Sequence, residues 1–329
     1  MEVSKSSKLL SAKTIGSIII FFTICMMALS LLPVFSNKNI HWASAHQPPS
    51  LRHIMGIDRS GRGIFSQLVS TSKAYFLPGL LSISISLLGG TLLGATSGYY
   101  TTAGQPEGLR EKIRVFSPSG IVVILDGFIR YVFELINSLP RLALIFLVCA
   151  TVSTDFLWIA GTLGIMGAMK LGSLLRSEVI LLRQEAYIEA AVELGLPDLI
   201  ILGRHLLWTR LLPLLVSQAC HLFAEVILIE TTLRFFFQII PDGTSSWGKI
   251  LVDNKNYIFT RQGISKSVKQ KSHSMFETRT LKTTSSKNHL WWLDSKRHLW
   301  WLWFFPALFI VFNIISLYLL ADAFGRQDD

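Results

Sequence analysis

Apolar positions along this chain fall in long runs separated by polar stretches. Six runs reach roughly 20 residues: Ile15–Val34, Phe76–Ser97, Asp126–Val152, Phe156–Ile180, Leu211–Leu233 and Trp300–Ala321. That is the length a helix needs to cross a bilayer. Hydrocarbon offers backbone N–H and C=O groups no partner, so the runs are predicted to be helical. The pattern predicts an all-α polytopic membrane protein with about six transmembrane helices.

The interruptions within the runs carry more information than the runs. Gly79, Gly89, Gly90, Gly94 and Gly98 punctuate the second, and small residues let membrane helices approach closely. The third begins amphipathic, with Asp126, Arg130 and Glu134 at i, i+4 and i+8 on one helical face. That face reads either as solvated or as packed against a neighbouring polar segment. The fifth contains His221, Glu225 and Glu230. Ionisable groups inside a span are costly, so they turn toward the bundle interior or water. Two roles stand for these three: pairing within the bundle, with His221 and Glu225 at i and i+4, or lining a substrate path.

Between the fourth and fifth runs lies the polar stretch Tyr187–Arg210, YIEAAVELGLPDLIILGRHLLWTR. Glu189, Ala190 and Ala191 favour a helix, and the alanines leave room for another surface. Gly195 can take a positive φ, ending that helix and redirecting the chain. Pro197 suits the start of a second helix. A polar helix-turn-helix between two spans sits in water, with its face available to a partner.

Composition agrees with the pattern. Of 329 residues 50% are hydrophobic and 16% charged, and the mean hydropathy is +0.47; a soluble domain carries charge nearer a quarter of its residues. The net charge of +10 is spread over loops. It therefore points to membrane headgroups and orientation, with no nucleic acid. Cys25, Cys149 and Cys220 each lie inside an apolar run and suit neither a zinc site nor a disulfide framework. There is no phosphate-binding Gly-Lys-Ser/Thr sequence, no paired carboxylates of a soluble cleft and no metal-type cluster. Catalytic and metal residues: none; the chain is not read as an enzyme.

The connecting segments differ in kind. Residues 1–14 are basic, and with the run that follows could form a signal peptide; the run is long and lacks a clear cleavage site, which favours an uncleaved helix. His53–Gln67 contains Gly56, Gly61 and Gly63 and is predicted to turn. Residues 101–120 form an extra polar loop. The longest loop is 235–299, and within it 260–299 is polar, basic and poor in aliphatics, the composition of a disordered or extended segment. HLWWL occurs twice there, and its tryptophans suit an interfacial anchor.

Several of these stretches, in this order, resemble permease subunits of ABC importers, nearest to the C-type permease of dipeptide and oligopeptide systems. Glu189-Ala190-Ala191 followed by Gly195 resembles that family's EAA loop. Gly56, Asp58, Gly61 and Arg62 resemble its "LGTDxxGRD" segment, with Gly63 in place of the last Asp. The second run ends like "GTLLGxxxGYY". Asp126, Arg130, Glu134 and Pro140 resemble "D-x3-R-x3-D…FPxLLLA". Trp247 and Gly248 carry a match to "PxxPSWGxML". Two departures stand out: Trp208 occupies the place of the family's Pro after Arg204-His205, and Arg234 that of a Ser.

The resemblance implies a type I importer permease fold in the bacterial inner membrane, forming half of a path for di- or oligopeptides. It implies a coupling loop built from Tyr187, Glu189, Ala190, Ala191, Gly195, Arg204 and His205 that docks on a cytoplasmic ATPase. It implies as partners a second, B-type permease, two ATPase subunits that use ATP and Mg, and an extracytoplasmic substrate-binding protein. The chain itself would bind membrane lipid and no cofactor. Nickel and antimicrobial-peptide importers use similar permeases, and an ion-driven secondary transporter or channel working through His221, Glu225 and Glu230 is the rival reading. The resemblance places both ends and the EAA loop in the cytoplasm. Charge alone argues the reverse, because the loops then outside hold more Lys and Arg, although that rule weakens for a loop as long as 235–299. The expected organisation is 1–74, a tail, first span and Gly-rich loop; 75–259, the permease core; 260–299, a basic insertion; and 300–329, the last span and tail.

Overall fold

The computed structural model describes residues 47–51, 53–58, 60–100, 121–240, 245–259 and 299–325. The run Ile15–Val34, the loop 101–120 and nearly all of 260–299 lie outside them. The elements in order are α1 (Ile64–Ser72), α2 (Phe76–Tyr100), α3 (Ile121–Ser138), α4 (Arg141–Thr151), α5 (Phe156–Leu182), α6 (Ala186–Glu193), α7 (Leu212–Thr232), α8 (Trp247–Phe259) and α9 (Trp301–Gly325). Wider π-type turns lead into α7 over Ile201–Leu211 and extend it over Leu233–Phe237. Among the described residues four helices are long and apolar enough to cross a membrane, or five if α3 and α4 count as one bent span.

The centre of the bundle is the pair α2 and α5, which are packed together along most of their length. Their contact is a stripe of small residues on each helix. Ser82, Ser86, Gly90, Gly94 and Gly98 recur every four residues on α2, facing Ala160, Gly164, Ala168 and Gly172 on α5. The numbers rise together on both helices, so the two run parallel. Ser82 Oγ donates to the Ala160 carbonyl at 2.6 Å. At the closest crossing a Cβ on Gly94 would lie 2.4 Å from the Gly172 carbonyl oxygen. Helices in lipid associate by van der Waals contact, and bare backbone permits the nearest approach.

α7 runs antiparallel to this pair. Near its middle Phe223 meets Gly79 and Leu222 meets Gly167, while Leu211, at its start, clusters with Ala95 and Tyr99 at the other end of α2. α9 is antiparallel to α7 in turn: Tyr318 packs at a tilt against His221 and Gly325 approaches Ser217.

Three features differ from the sequence expectation. The run Asp126–Val152 is not straight: α3 and α4 meet at 91° across Leu139 and Pro140. Pro140 has φ −62° and ψ 123° and precedes α4 as its N-terminal flank, where a residue without an N–H is tolerated. The loop ending at residue 74 contains α1, and the loop beginning at 235 contains α8. Both are short helices that bury one face. In α8, Trp247, Ile250, Leu251 and Asn254 are buried, an i, i+3, i+4, i+7 stripe. In α1 Ile64, Gln67, Leu68 and Thr71 form the same stripe, with Val69 and Ser72 buried beside it. The apolar members of both stripes form one cluster with Phe309 and Ile310 of α9.

The glycine turns behave as expected. Gly56 and Gly61 take φ of 80° and 75°. Asp58 Oδ1 accepts the N–H groups of Ser60 and Arg62, both at 2.8 Å, and its Oδ2 accepts Gln67 Nε2 at 2.7 Å. One carboxylate thus holds the whole turn against α1.

Candidate functional site

The polar stretch between α5 and α7 folds as a helix, a tight turn and a second helical segment. Gly195 has φ +75°. Its N–H bonds the Val192 carbonyl at 3.0 Å, and the Leu196 N–H bonds the Ala191 carbonyl at 3.2 Å. These two bonds and the left-handed residue make a Schellman motif, which satisfies carbonyls that the helix end would otherwise leave open. The chain then passes Pro197 in an extended conformation and enters helix again at Asp198. That second segment does not stay separate, as the sequence suggested. It continues through the π-type turns into α7.

One face of this loop is seated on the bundle. Ile188 and Ala191 are buried in a cluster with Ala95 and Tyr99 of α2, Leu171, Leu175 and Val179 of α5, and Ile201, Leu202 and Leu206. Polar contacts fix the register. Tyr99 Oη donates to Asp198 Oδ1 at 2.8 Å. The Arg183 guanidinium lies 4.4 Å over the Tyr99 ring and donates to the Tyr99 carbonyl.

The opposite face is open. Tyr187, Glu189, Ala190, Glu193 and Arg204 are exposed, as is Gly195. Apolar side chains are exposed among them: Leu194 is 81% exposed, and Leu196, Ile200 and Trp208 (71%) also reach outward. Exposed apolar side chains among charged ones, at one end of a membrane bundle, suit a surface that meets another protein or the membrane interface. Among Tyr187, Glu189, Ala190, Ala191, Gly195 and Arg204, Ala191 is the one turned inward. His205 lies in the π-type stretch with Arg204 and Trp208.

The three ionisable residues expected in the fifth span separate into two environments. Glu230 is 0% exposed. It takes Arg234 Nε and Ser246 Oγ on Oε1, each at 2.5 Å, and Tyr75 Oη on Oε2 at 2.7 Å. Tyr75 stacks on Trp247, whose indole N–H donates to the Leu68 carbonyl at 2.9 Å. A Cβ on Gly248 would lie 2.9 Å from Glu230 Oε2. The Arg at 234, the Ser246-Trp247-Gly248 sequence and Glu230 are thus parts of one buried knot joining α7, α8 and the start of α2. In the sequence Glu230 and Arg234 stand at i and i+4, the spacing of a helical ion pair, a signal that the reading of Arg234 as a departure passed over; Tyr75 and Ser246 had no such local signal.

Glu225 and His221 sit elsewhere. Glu225 pairs with Arg141 of α4, and His221 packs at a tilt against Tyr318 of α9, ring centroids 5.1 Å apart. Arg130 and Glu134 of α3 form an exposed pair at 2.9 Å, the solvated alternative for that face.

The fold defines a class: a multi-pass helical membrane protein, with exposed apolar side chains among charged ones in the loop at one end of its described helices. Comparison with known proteins gives the family. The chain belongs to the binding-protein-dependent transport system inner membrane components, whose family model matches residues 118–327. It is similar to a dipeptide transport system permease protein, DppC, of Alkalihalophilus pseudofirmus, 28% identical over 259 residues, 78% of each chain. It is also similar to a probable D,D-dipeptide transport system permease protein, DdpC, of Escherichia coli, 25% identical over 244 residues, 74% of each chain. An oligopeptide transport system permease protein, OppC, of Haemophilus influenzae is 25% identical over 221 residues, 67% of this chain and 64% of the relative. The chain is therefore an inner-membrane permease of an ABC importer, dependent on a binding protein and on ATPase partners; permeases of this family have no ATPase activity and no cofactor of their own.

Proposed function

We propose that this chain forms half of an import path for di- or oligopeptides and is driven through the loop centred on Gly195. A second, B-type permease supplies the other half, two ATPase subunits bind and hydrolyse ATP with Mg, and an extracytoplasmic protein delivers the substrate. The observation that carries this reading is the two-sided loop. Its inner face is locked to α2 and α5, while Leu194, Leu196 and Ile200 stand exposed outside. A partner pushing on that outer face acts directly on the two central spans. ATP can only shift the bundle between packings if it interacts differently with each, and this loop is where such a difference enters. The relatives named for dipeptides and oligopeptides support peptides as the substrate class.

Gly195→Asp tests it. Asp is among the residues that tolerate the left-handed region, so α6 and membrane insertion persist. A new carboxylate then stands between Leu194 and Leu196 on the docking face. Substrate-stimulated ATP hydrolysis by the assembled complex is expected to vanish. Gly195→Ala, whose Cβ enters open space, meets only backbone strain of about 1–2 kcal/mol and should retain much of the stimulation. Normal stimulation in the Asp variant would sink the proposal.

A further inference from the structure

The side of α7 that carries His221 and Glu225 brings charges from four helices together. Arg141 opens α4 immediately after the 91° break, and it pairs with Glu225 in the middle of α7. Tyr318 of α9 lies within electrostatic reach of both. One turn along α7, His221 packs against Tyr318 and lies within reach of Lys170 of α5 and Asp322 of α9. The string runs from mid-bundle toward the end where the coupling loop sits, because Gly325 of α9 approaches Ser217 near the start of α7. It holds two fixed cations, Arg141 and Lys170, and two carboxylates, Glu225 and Asp322.

These groups are not sealed. The Arg141 and Glu225 side chains are 37% and 19% exposed, in contrast to the closed knot around Glu230. An ion pair with an open edge inside a span does not face hydrocarbon; it faces water or another protein. The broken backbone beside it has the same requirement, since irregular main chain at membrane depth is tolerated only against protein or a water-filled cavity. Two independent features therefore mark the same side of the bundle as one turned away from lipid, toward water or protein.

We infer that Arg141 and Glu225 are the substrate-reading residues of the path, exchanging their mutual ion pair for the carboxylate and the ammonium of a zwitterionic peptide. This rests on the peptide-importer reading above. The chemistry is balanced. While the path is empty each charge satisfies the other, so none is stranded in a low-dielectric surrounding. When a free peptide arrives, Arg141 offers its planar fork to the terminal carboxylate, a bidentate geometry, and Glu225 accepts the N-terminal ammonium. One internal pair becomes two pairs with the substrate: four charges share the site in place of two, each one paired, and the net charge stays zero. Lys170 and Asp322 repeat the same combination of signs one step nearer the coupling end, so the peptide can be handed on.

The experiment uses the whole transporter in liposomes, with trialanine as the probe, and follows two signals: ATP hydrolysis stimulated by the loaded binding protein, and trialanine accumulated inside. Arg141→Gln and Glu225→Gln are expected to keep stimulated hydrolysis within about twofold and to lower accumulation at least tenfold. Arg141→Met combined with Glu225→Met removes the pair without stranding a charge, so it guards against simple misfolding. It should likewise hydrolyse ATP and fail to accumulate trialanine. Accumulation at the unaltered level in the double variant overturns the inference, as does a parallel loss of both signals in the double variant, which would assign the pair a structural role. Absence of trialanine accumulation by the unaltered transporter defeats instead the peptide reading on which the inference rests.

Discussion

Gly94→Val is expected to cost the folded bundle at least about 3 kcal/mol, the upper part of the range for overpacking, because nothing at the crossing of α2 and α5 can yield. The Cβ alone would sit 2.4 Å from the Gly172 carbonyl oxygen and 2.7 Å from its Cα. Both are main-chain atoms of a continuous helix, so no rotamer change relieves the clash and the helices must move apart. Separation then forfeits the neighbouring contacts of Gly90 with Leu171 and of Gly98 with Arg176, and dispersion falls steeply with a gap of even an ångström. The measurement is the fraction of detergent-purified chain that stays monodisperse after graded heating. Gly127→Val is the control, since a Cβ there meets no atom within 4 Å. A Gly94 variant as heat-resistant as that control would show that the two helices are not pressed together as described.

Glu230→Ala should be comparably damaging. It leaves the Arg234 guanidinium, 3% exposed, without its carboxylate, and it also strips the Tyr75 and Ser246 hydroxyls of their acceptor. Removing one partner of a buried pair costs about 3–5 kcal/mol, most of it the uncompensated charge. The same reasoning sets the sign for the double variant. Glu230→Met with Arg234→Met removes both ions and should recover most of the loss, since a buried pair replaced by apolar groups of similar volume is often neutral. The heating assay reads both. If the double variant is as damaged as Glu230→Ala, the knot matters for its hydrogen bonds to Tyr75 and Ser246 rather than for charge compensation.

Much of the bundle was legible because lipid restricts the solutions: a long apolar run can only be a helix. The turn at Gly195 was legible for a local reason, since a left-handed residue after an EAA helix leaves few alternatives to glycine. The small-residue stripe was half legible. The glycines of α2 stand out, whereas Ala160, Gly164, Ala168 and Gly172 pass for ordinary apolar sequence until the partner helix is seen. α1 and α8 were missed because their stripes are short and sit in segments dominated by turn and polar residues. The distant partners of Glu225 and Glu230 were illegible in principle, whereas Arg234, four residues after Glu230, lay within reach of a local period. Arg141 lies 84 positions from Glu225 and Tyr75 lies 155 from Glu230, and no local period reports such a separation. The local guess, His221 with Glu225, gave way to a stronger cation on another helix.

α2 is tethered at both ends by a tyrosine hydroxyl: Tyr75, just before its first turn, reaches Glu230, and Tyr99 reaches Asp198. Its 25 residues span about 37 Å at 1.5 Å per residue, roughly the full membrane. Because α5 is locked beside it by bare backbone, the pair has the stiffness of a beam rather than of a hinge. A displacement applied at the loop around Gly195 is therefore carried along both helices together, and the compliance that any pumping cycle requires must reside in other places, such as the Pro140 break. Probes fixed on α2 and α5 should keep one separation throughout the cycle, while a probe on α4 should change its distance to both.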